Sequence, residues 1–475
     1  MSKFINNSLL ILIIGLFAYI FKTSDGYSNE QIITILTLSA VTIVVFFKDK
    51  NVTATQRFRL LRPSVLLLLG MCIIAYQNGI DLLVGNYDMN TNVFLHHSLI
   101  TKGIAFASMA IVAFIFGYTN TSMPFNSINS KSYNQEISLD ALIVLSTIFT
   151  LMFLSTVDSA FITGQSYVES GSLEGSHTNN SEILLNICNA AVLIQYAINN
   201  TGRKMSLRRF IGGMPKLFII LLVLYLVLRL ISGAREPVIR TSLILLFSYV
   251  YANREQPFRN FIFVICIIAT SFILSIISIG RGVITNDLSK KYETGLAVYE
   301  ARQSFSPSTE ELASSQFCDM IAINEFEKQD NEHLHGAIQG RYLAVLFIPN
   351  RLLENIWPVE TEMQGSAYYI TTLERGRKSN IGLGTTLQSD FYLDFGIVGM
   401  IVCMMLMGVL LKKVDLSLYS DVKLRYSLFA TTMIIMLSSS AFYLSRSAFI
   451  PSIRLPLYTF ILLYINRLIH DNRYI

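Results

Sequence analysis

Phe391-Tyr392-Leu393-Asp394-Phe395-Gly396-Ile397-Val398-Gly399-Met400-Ile401-Val402-Cys403-Met404-Met405-Leu406-Met407-Gly408-Val409-Leu410-Leu411 runs for 21 residues with a single charge, Asp394, in its first turn. A helix of that length rises about 30 Å, the thickness of a bilayer's hydrocarbon core. On its C-terminal side lie Lys412, Lys413, Lys423 and Arg425. On its N-terminal side, the roughly 109 residues from Arg281 to Ser389 hold no apolar run of comparable length. Similar runs occur near 5–21, 31–47, 63–84, 100–118, 139–155, 182–198, 214–232, 236–252, 260–279, 426–444 and 451–468. With 52% hydrophobic and 15% charged residues and a mean hydropathy of +0.49, the chain has too little charge to cover a soluble protein of its size. The pattern predicts an all-α polytopic membrane protein of about twelve transmembrane helices. The first run, Leu9 to Phe21, follows Lys3 and precedes no small-residue cleavage site, so it reads as a retained helix and not a signal peptide.

Loop charges predict the topology. Loop 48–62 carries Lys48, Lys50, Arg57, Arg59 and Arg62, and loop 199–216 carries Arg203, Lys204, Arg208, Arg209 and Lys216. Arg254 and Arg259 lie in loop 253–259, and the four basic residues after Leu411 complete the set. All four loops share one side if the spans are counted correctly, and the positive-inside rule assigns that side to the cytoplasm, with both termini. Loops 85–97 and 156–181, on the other side, contain no Lys or Arg. Three parts follow: a membrane part over 1–280 with about nine spans, a large periplasmic loop over 281–389, and a membrane part over 390–475 with about three. Within the loop, Thr309–Phe326 is helix-like, and Tyr342–Trp357 is amphipathic but too short to span, which suits the interface or a re-entrant turn. No internal repeat is evident, which weighs against a transporter built from repeated halves.

Several arginines sit at the outer ends of spans, where the charge rule disfavours them. Arg229, Arg235 and Arg240 surround the turn Ser232-Gly233-Ala234-Arg235-Glu236-Pro237, Arg281 follows Ile279-Gly280, and Arg446 and Arg454 flank the last turn. Arg341 and Arg351 belong to the amphipathic region, and Arg375, Arg377 and Lys378 follow it. A guanidinium fork holds two phosphate oxygens at once and stays charged when partly desolvated, so Arg235, Arg281, Arg341 and Arg351 suit a lipid-linked pyrophosphate. Snorkelling to headgroups, or pairing with Glu236 and other loop carboxylates, is the alternative.

Of six histidines, His96, His97, His177, His333 and His335 map to the loop side. Within Asn331-Glu332-His333-Leu334-His335, the histidines and Glu332 could act on a sugar hydroxyl proton, or simply be solvated loop residues. Five cysteines show no metal spacing and no partner outside the bilayer, so neither disulfide nor zinc is expected. No Asp-x-Asp string occurs, so a glycosyl-transfer enzyme of this sequence is expected to use a lipid-phosphate donor, without a divalent metal or other cofactor. The net charge of +5 is ordinary for basic cytoplasmic loops and implies no nucleic-acid partner.

Leu346-Phe347-Ile348-Pro349-Asn350-Arg351, then Ile356-Trp357-Pro358, then Gly382-Leu383-Gly384-Thr385-Thr386 lead into Asp390-Phe391-Tyr392-Leu393-Asp394-Phe395-Gly396. This order resembles the O-antigen polymerase family, Wzy. There an Ile-Pro/Arg segment in a large periplasmic loop precedes a proline turn and a Gly-rich, hydroxyl-containing approach. A span opening with a Tyr-x-Asp/Asn-Phe-Gly string follows. The close resemblance covers about 50 residues, and the many spans with one dominant late loop are similar too.

The resemblance implies a glycosyltransferase of the multi-span, GT-C-like class in a bacterial inner membrane. It would transfer a growing polysaccharide from undecaprenyl pyrophosphate to a new lipid-linked repeat unit, with a chain-length-regulating co-polymerase as a further partner. An O-antigen ligase shares that donor chemistry. A flippase for the same unit would need charges lining a cavity within its spans, and no such loop. In the residues' own terms, Gly382 and Gly384 free the backbone before a helix that Thr385 or Thr386 can cap, and an exposed N-terminus there would favour an anion. Asp390 and Asp394, four apart, share a face of that helix. Gly396 and Gly399 can serve close helix packing.

Overall fold

A computed structural model of the protein describes residues 2–48, 62–86, 96–128, 137–157, 176–232, 235–253, 276, 288–301, 306, 309–328, 332–348, 352–353, 365–376, 382–420 and 424–471, with backbone only at 2, 3, 127, 128, 176–179, 235, 288, 291, 328, 425 and 471. The membrane part contains α1 (Ser2–Thr23), α2 (Asn29–Phe47), α3 (Pro63–Val84), α4 (Ile100–Asn120), α5 (Asp140–Thr156), α6 (Ser176–Asn199), a short α7 (Leu207–Gly212), α8 (Lys216–Ile231) and α9 (Arg235–Ala252). The loop contributes α10 (Leu288–Ala301), α11 (Glu310–Ala313), α12 (Gln316–Ile323), a π turn at Asn324–Lys328, α13 (Ala337–Phe347) and α14 (Ser366–Arg375). Three long helices close the chain: α15 (Leu387–Leu418), α16 (Leu428–Leu444) and α17 (Phe449–Asp471). Every expected span coincides with a helix except 260–279, which lies outside the described residues apart from Ile276. Seven of the described helices are long and apolar enough to cross a membrane, and the apolar α5 and α16 are shorter. The protein is a polytopic, all-helical membrane protein.

At the centre stands α4, which is buried along almost its whole length between α1, α2, α3, α12 and α15. Its contact with α15 is backbone on backbone. A methyl group added at Gly117 would come within 2.0 Å of the Met405 carbonyl oxygen, and one at Gly408 within 2.1 Å of the Phe114 carbonyl oxygen. Small residues let helices approach in lipid, where dispersion replaces the hydrophobic effect as the attraction. The sequence singled out Gly396 and Gly399 for this role, but the structure gives it to Gly117 and Gly408. At Gly396, φ +66° and ψ −169° break the helix of α15, in a region of backbone space that only glycine enters at low cost. On the outside, Leu12, Ile220, Val398 and Leu406 are exposed, as a lipid-facing surface requires.

A second core joins α5, α6 and α8, where Phe153 and Tyr225 rings meet at 5.5 Å. Arg229 is buried here against Glu182, which also accepts the Tyr225 hydroxyl at 2.7 Å. Arg229 is therefore neutralised inside the bundle. Arg240 pairs with Glu236 one turn away on α9, and Arg446 reaches Glu311 at 3.4 Å.

Long-range bonds fix which loops share an end. Asn7 bonds Asn120 at 2.8 Å, Met205 N–H donates to Asn253 at 2.9 Å, and Asn466 donates to the Ser138 carbonyl at 3.4 Å. Two-residue strands, β1 (Ser127–Ile128) and β2 (Arg425–Tyr426), pair antiparallel at the same end. At the opposite end, Asn78 donates to the Ala313 carbonyl at 2.9 Å, and His96 lies 3.3 Å from Glu374. These bonds bring the 288–386 region to this second end. Two basic residues counted as loop charges are in fact buried at the first end. Arg62 precedes α3, and Lys412 lies within α15, which continues seven residues past the expected Leu411. Both surround Asp415. Its carboxylate accepts the Ser64 hydroxyl and the Tyr118 hydroxyl (2.7 Å), Arg62 reaches Tyr118 at 3.3 Å, and the Lys412 ammonium sits 4.3 Å over the Tyr118 ring.

Candidate functional site

The head of α15 is built by the capping expected from sequence. Gly384, at φ +85°, turns the chain, and Thr386 caps the helix by accepting the Ser389 N–H at 3.1 Å, with the Ser389 hydroxyl accepting the Thr386 N–H at 3.0 Å. Such a reciprocal box is worth about 1 kcal/mol. This N-terminus is not an open anion site, however, because Thr386 is fully buried and its hydroxyl donates to Asp319 of α12. Gln388 adds a second bond to the same carboxylate at 2.9 Å. The anion at this helix end is the protein's own. Burial pushes the Asp319 carboxyl up to about 7, against the lowering effect of those hydrogen bonds.

One turn later α15 receives the loop. Asp394 accepts the N–H groups of Ile338 (3.2 Å) and Gln339 (2.7 Å), so a carboxylate from one helix caps the N-terminus of α13. The Gln339 side chain donates to the Asp390 carbonyl at 3.2 Å. The break at Gly396 leaves the Leu393 carbonyl available to the Leu334 N–H at 3.0 Å. From the far side, the turn before α17 adds the Phe449 N–H, which donates to Asp390 Oδ2 at 3.1 Å. Asp390 and Asp394 thus share a face, as their spacing implied, and that face holds α13. Tyr342 completes the wall, accepting the Ser366 N–H at 2.8 Å. Burial, with the Asp390 and Asp394 carboxylates nearby, pushes its hydroxyl up to about 12.

The site's distinguishing property is unmet hydrogen-bonding capacity. Of fourteen buried side-chain atoms with no hydrogen-bond partner among the described residues, six fall in two short segments: His333 Nδ1, Gln339 Oε1 and Arg341 Nη1, then Gln388 Oε1, Asp390 Oδ1 and Tyr392 Oη. Each such atom costs about 1–3 kcal/mol, so their concentration here marks a place that a polar ligand would complete. Arg341 is the sharpest case. Its side chain is only 3% exposed, yet it has neither an ion pair nor a hydrogen bond to any described residue.

The structure separates the other residues read from sequence. His333 is half-buried, stacked on Phe326 at 4.4 Å and edge-on to Tyr392 at 5.0 Å, with its Nε2 3.0 Å from where a methyl at Gly396 would stand. Burial pushes its pKa down, so the ring stays neutral at neutral pH. His335 takes a left-handed conformation, φ +49°, and it and Glu332 are exposed. Within the string, His333 is half-buried and His335 is exposed. Arg341 lies in α13, which starts five residues before the expected Tyr342 and ends at Phe347. Arg235 opens α9, but its side chain lies outside the described residues, as do Arg281, Arg351 and Trp357. Among the described residues, no group of His, Cys, Asp or Glu is arranged to hold a metal ion.

Sequence reasoning did not single out Asp319 or Gln339. The signal for Asp319 was present in Gln316-Phe317-Cys318-Asp319-Met320-Ile321-Ala322-Ile323, one charge in an apolar helix. Fold and site together define a multi-span membrane protein with a cluster of buried polar groups where α13 meets the head of α15. Comparison with family models, with curated proteins and with solved structures finds no match to this chain.

Proposed function

We propose that this protein is a lipid-dependent glycosyltransferase, and specifically an O-antigen polymerase of the Wzy type. In this reading about twelve spans in a GT-C-like arrangement lie in a bacterial inner membrane, with both termini cytoplasmic and the 281–389 loop periplasmic. The growing polysaccharide passes from undecaprenyl pyrophosphate to the sugar hydroxyl of a new lipid-linked repeat unit, and the lipid pyrophosphate leaves. The observation that carries the reading is Arg341: a buried guanidinium with no partner among the described residues, on a helix strapped to the head of α15. A leaving diphosphate gains negative charge as its bond to sugar breaks, and a preorganised cation in a dry site stabilises that charge most. Unmatched acceptors on Gln339, Gln388 and Asp390 suit the hydroxyls of a sugar. Arg235, Arg281 and Arg351 remain candidates for the same diphosphate, and a chain-length regulator is the expected protein partner. The string from Leu346 to Gly399, which resembles that family, runs from the last two residues of α13 through α14 to the head of α15.

A flippase would need charges lining a cavity within its spans, whereas these groups gather where α13 of the loop meets the head of α15. To test the reading, purified full-length protein in nanodiscs is given only lipid-linked repeat units. A ladder of polymer is expected. Transfer that occurs only after lipid A core is added identifies a ligase, and movement of the units across vesicles without polymer identifies a transporter.

A further inference from the structure

Three of the aspartates buried at the loop end, Asp319, Asp390 and Asp394, use their oxygens differently. Asp319 accepts bonds from Thr386 and Gln388, one on each oxygen. Asp394 accepts from Ile338 and Gln339, again one on each. Both are committed to holding helices in place. Asp390 uses Oδ2 for the Phe449 N–H, and its Oδ1 has no hydrogen-bond partner among the described residues. The residue is fully buried, and the Ser366 and Gln339 side chains direct their hydrogen-bond donors at its carboxylate.

A structural role would pair Asp390 with Arg341. The two carry opposite charges, both are buried, and they lie on helices α13 and α15, which touch. Burying two such ions apart is costly, and direct pairing is the usual compensation. No ion pair links them. Arg341 offers an open donor and Asp390 an open acceptor on two helices that touch, and a ligand with an anion and a hydroxyl would satisfy both. The residues read from sequence for acid–base work are poorly placed for it: Glu332 and His335 are exposed, and His333 is wedged between Phe326, Tyr392 and Gly396.

Building on the polymerase reading, we infer that Asp390 is the catalytic base, its Oδ1 taking the proton from the acceptor sugar's hydroxyl. In that step the acceptor oxygen forms a bond to the anomeric carbon of the donor. The bond from that carbon to the pyrophosphate oxygen breaks, and its electron pair departs with the pyrophosphate beside Arg341. The proton removed from the hydroxyl resides on Asp390 and passes to the departing pyrophosphate or to water, restoring the carboxylate. Ser366 and Gln339 orient the carboxylate, and Asp394 positions α13 without touching the reacting atoms.

The test compares wild type, Asp390→Asn, Asp390→Glu and Arg341→Ala, each full-length in nanodiscs. The substrates are lipid-linked repeat units extracted from producing cells in which this gene is deleted. Polymerisation rate is read against pH, undecaprenyl pyrophosphate binding by tryptophan fluorescence, and folding by melting temperature. Asparagine keeps the bond from Phe449 but cannot accept a proton. Asp390→Asn is expected to melt like wild type, bind undecaprenyl pyrophosphate normally, polymerise about 100-fold more slowly, and lose the acidic limb of the pH–rate profile. Asp390→Glu recovers part of the rate. An Asp390→Asn protein that polymerises within about threefold of wild type, while Arg341→Ala does not, overturns the base assignment and leaves the polymerase reading standing. A wild-type protein that makes no polymer from these units overturns that reading, and the assignment with it.

Discussion

The two ends of α15 each hold buried charge, and they treat it in opposite ways. At the end near the termini, Asp415 receives the hydroxyls of Ser64 and Tyr118, with Arg62 and Lys412 gathered round the same tyrosine. Every group there has an interaction partner. At the loop end, Arg341 and one oxygen of Asp390 have none among the described residues. A completed network locks helices together, whereas an incomplete one bears its desolvation cost until a ligand arrives. One end of the helix is structure, and the other is a site.

The sharpest way to break this contrast is Asp415→Ala. It strips the counter-charge from Arg62 and Lys412, and removal of one member of a buried ion cluster costs about 3–5 kcal/mol. A large drop in melting temperature and in folded yield is expected, and a wild-type melt would show that the locked end is not locked. Arg341→Ala should behave in the reverse manner. Polymer formation falls about 100-fold, equivalent to about 2.7 kcal/mol of transition-state stabilisation, while melting temperature stays level or rises as an unpartnered buried charge disappears.

Gly396→Ala tests the joint between loop and helix. Its backbone conformation costs any other residue about 1–3 kcal/mol, and the new methyl would press on His333 at 3.0 Å. Lower thermal stability together with slower polymerisation is expected.

Asp319 sharpens the comparison through pH. Its carboxyl sits at about 7 in the folded protein, against 3.8 for an ordinary aspartate. Between those values the folded state keeps a proton that the unfolded chain has released, so stability falls as pH rises through that window. Asp319→Asn should flatten the slope of melting temperature against pH, and an unchanged slope would remove Asp319 as its source. Arg240→Ala gives the smallest effect. The pair with Glu236 is partly exposed and solvent-screened, so a change of about 0–0.5 kcal/mol is expected in the same melt.

Much of this architecture was legible in the amino-acid order. Apolar runs located the helices to within a few residues, and the glycines and hydroxyls before Leu387 pointed to Thr385 or Thr386 as a cap, of which the fold uses Thr386. These signals are local, because transfer into lipid and helix capping depend on residues a few places apart. Charges were harder. Arg62 and Lys412 read as loop cations, yet both are buried, because Asp415 and Tyr118 come to them from other helices. Arg229 read as a misplaced outer cation, and Glu182, 47 residues away, neutralises it. His333 and His335 read alike, yet the fold half-buries the first and leaves the second exposed.

From residue order alone came the membrane class, the helices and the sharing of one end by the basic loops. Hydrophobic transfer adds up along the chain, so a linear reading captures it. Whether a buried charge is satisfied is a different kind of question. Its answer depends on which groups from distant segments lie within about 3 Å of it, and only the folded arrangement reveals that Asp415 is satisfied while Arg341 and Asp390 wait.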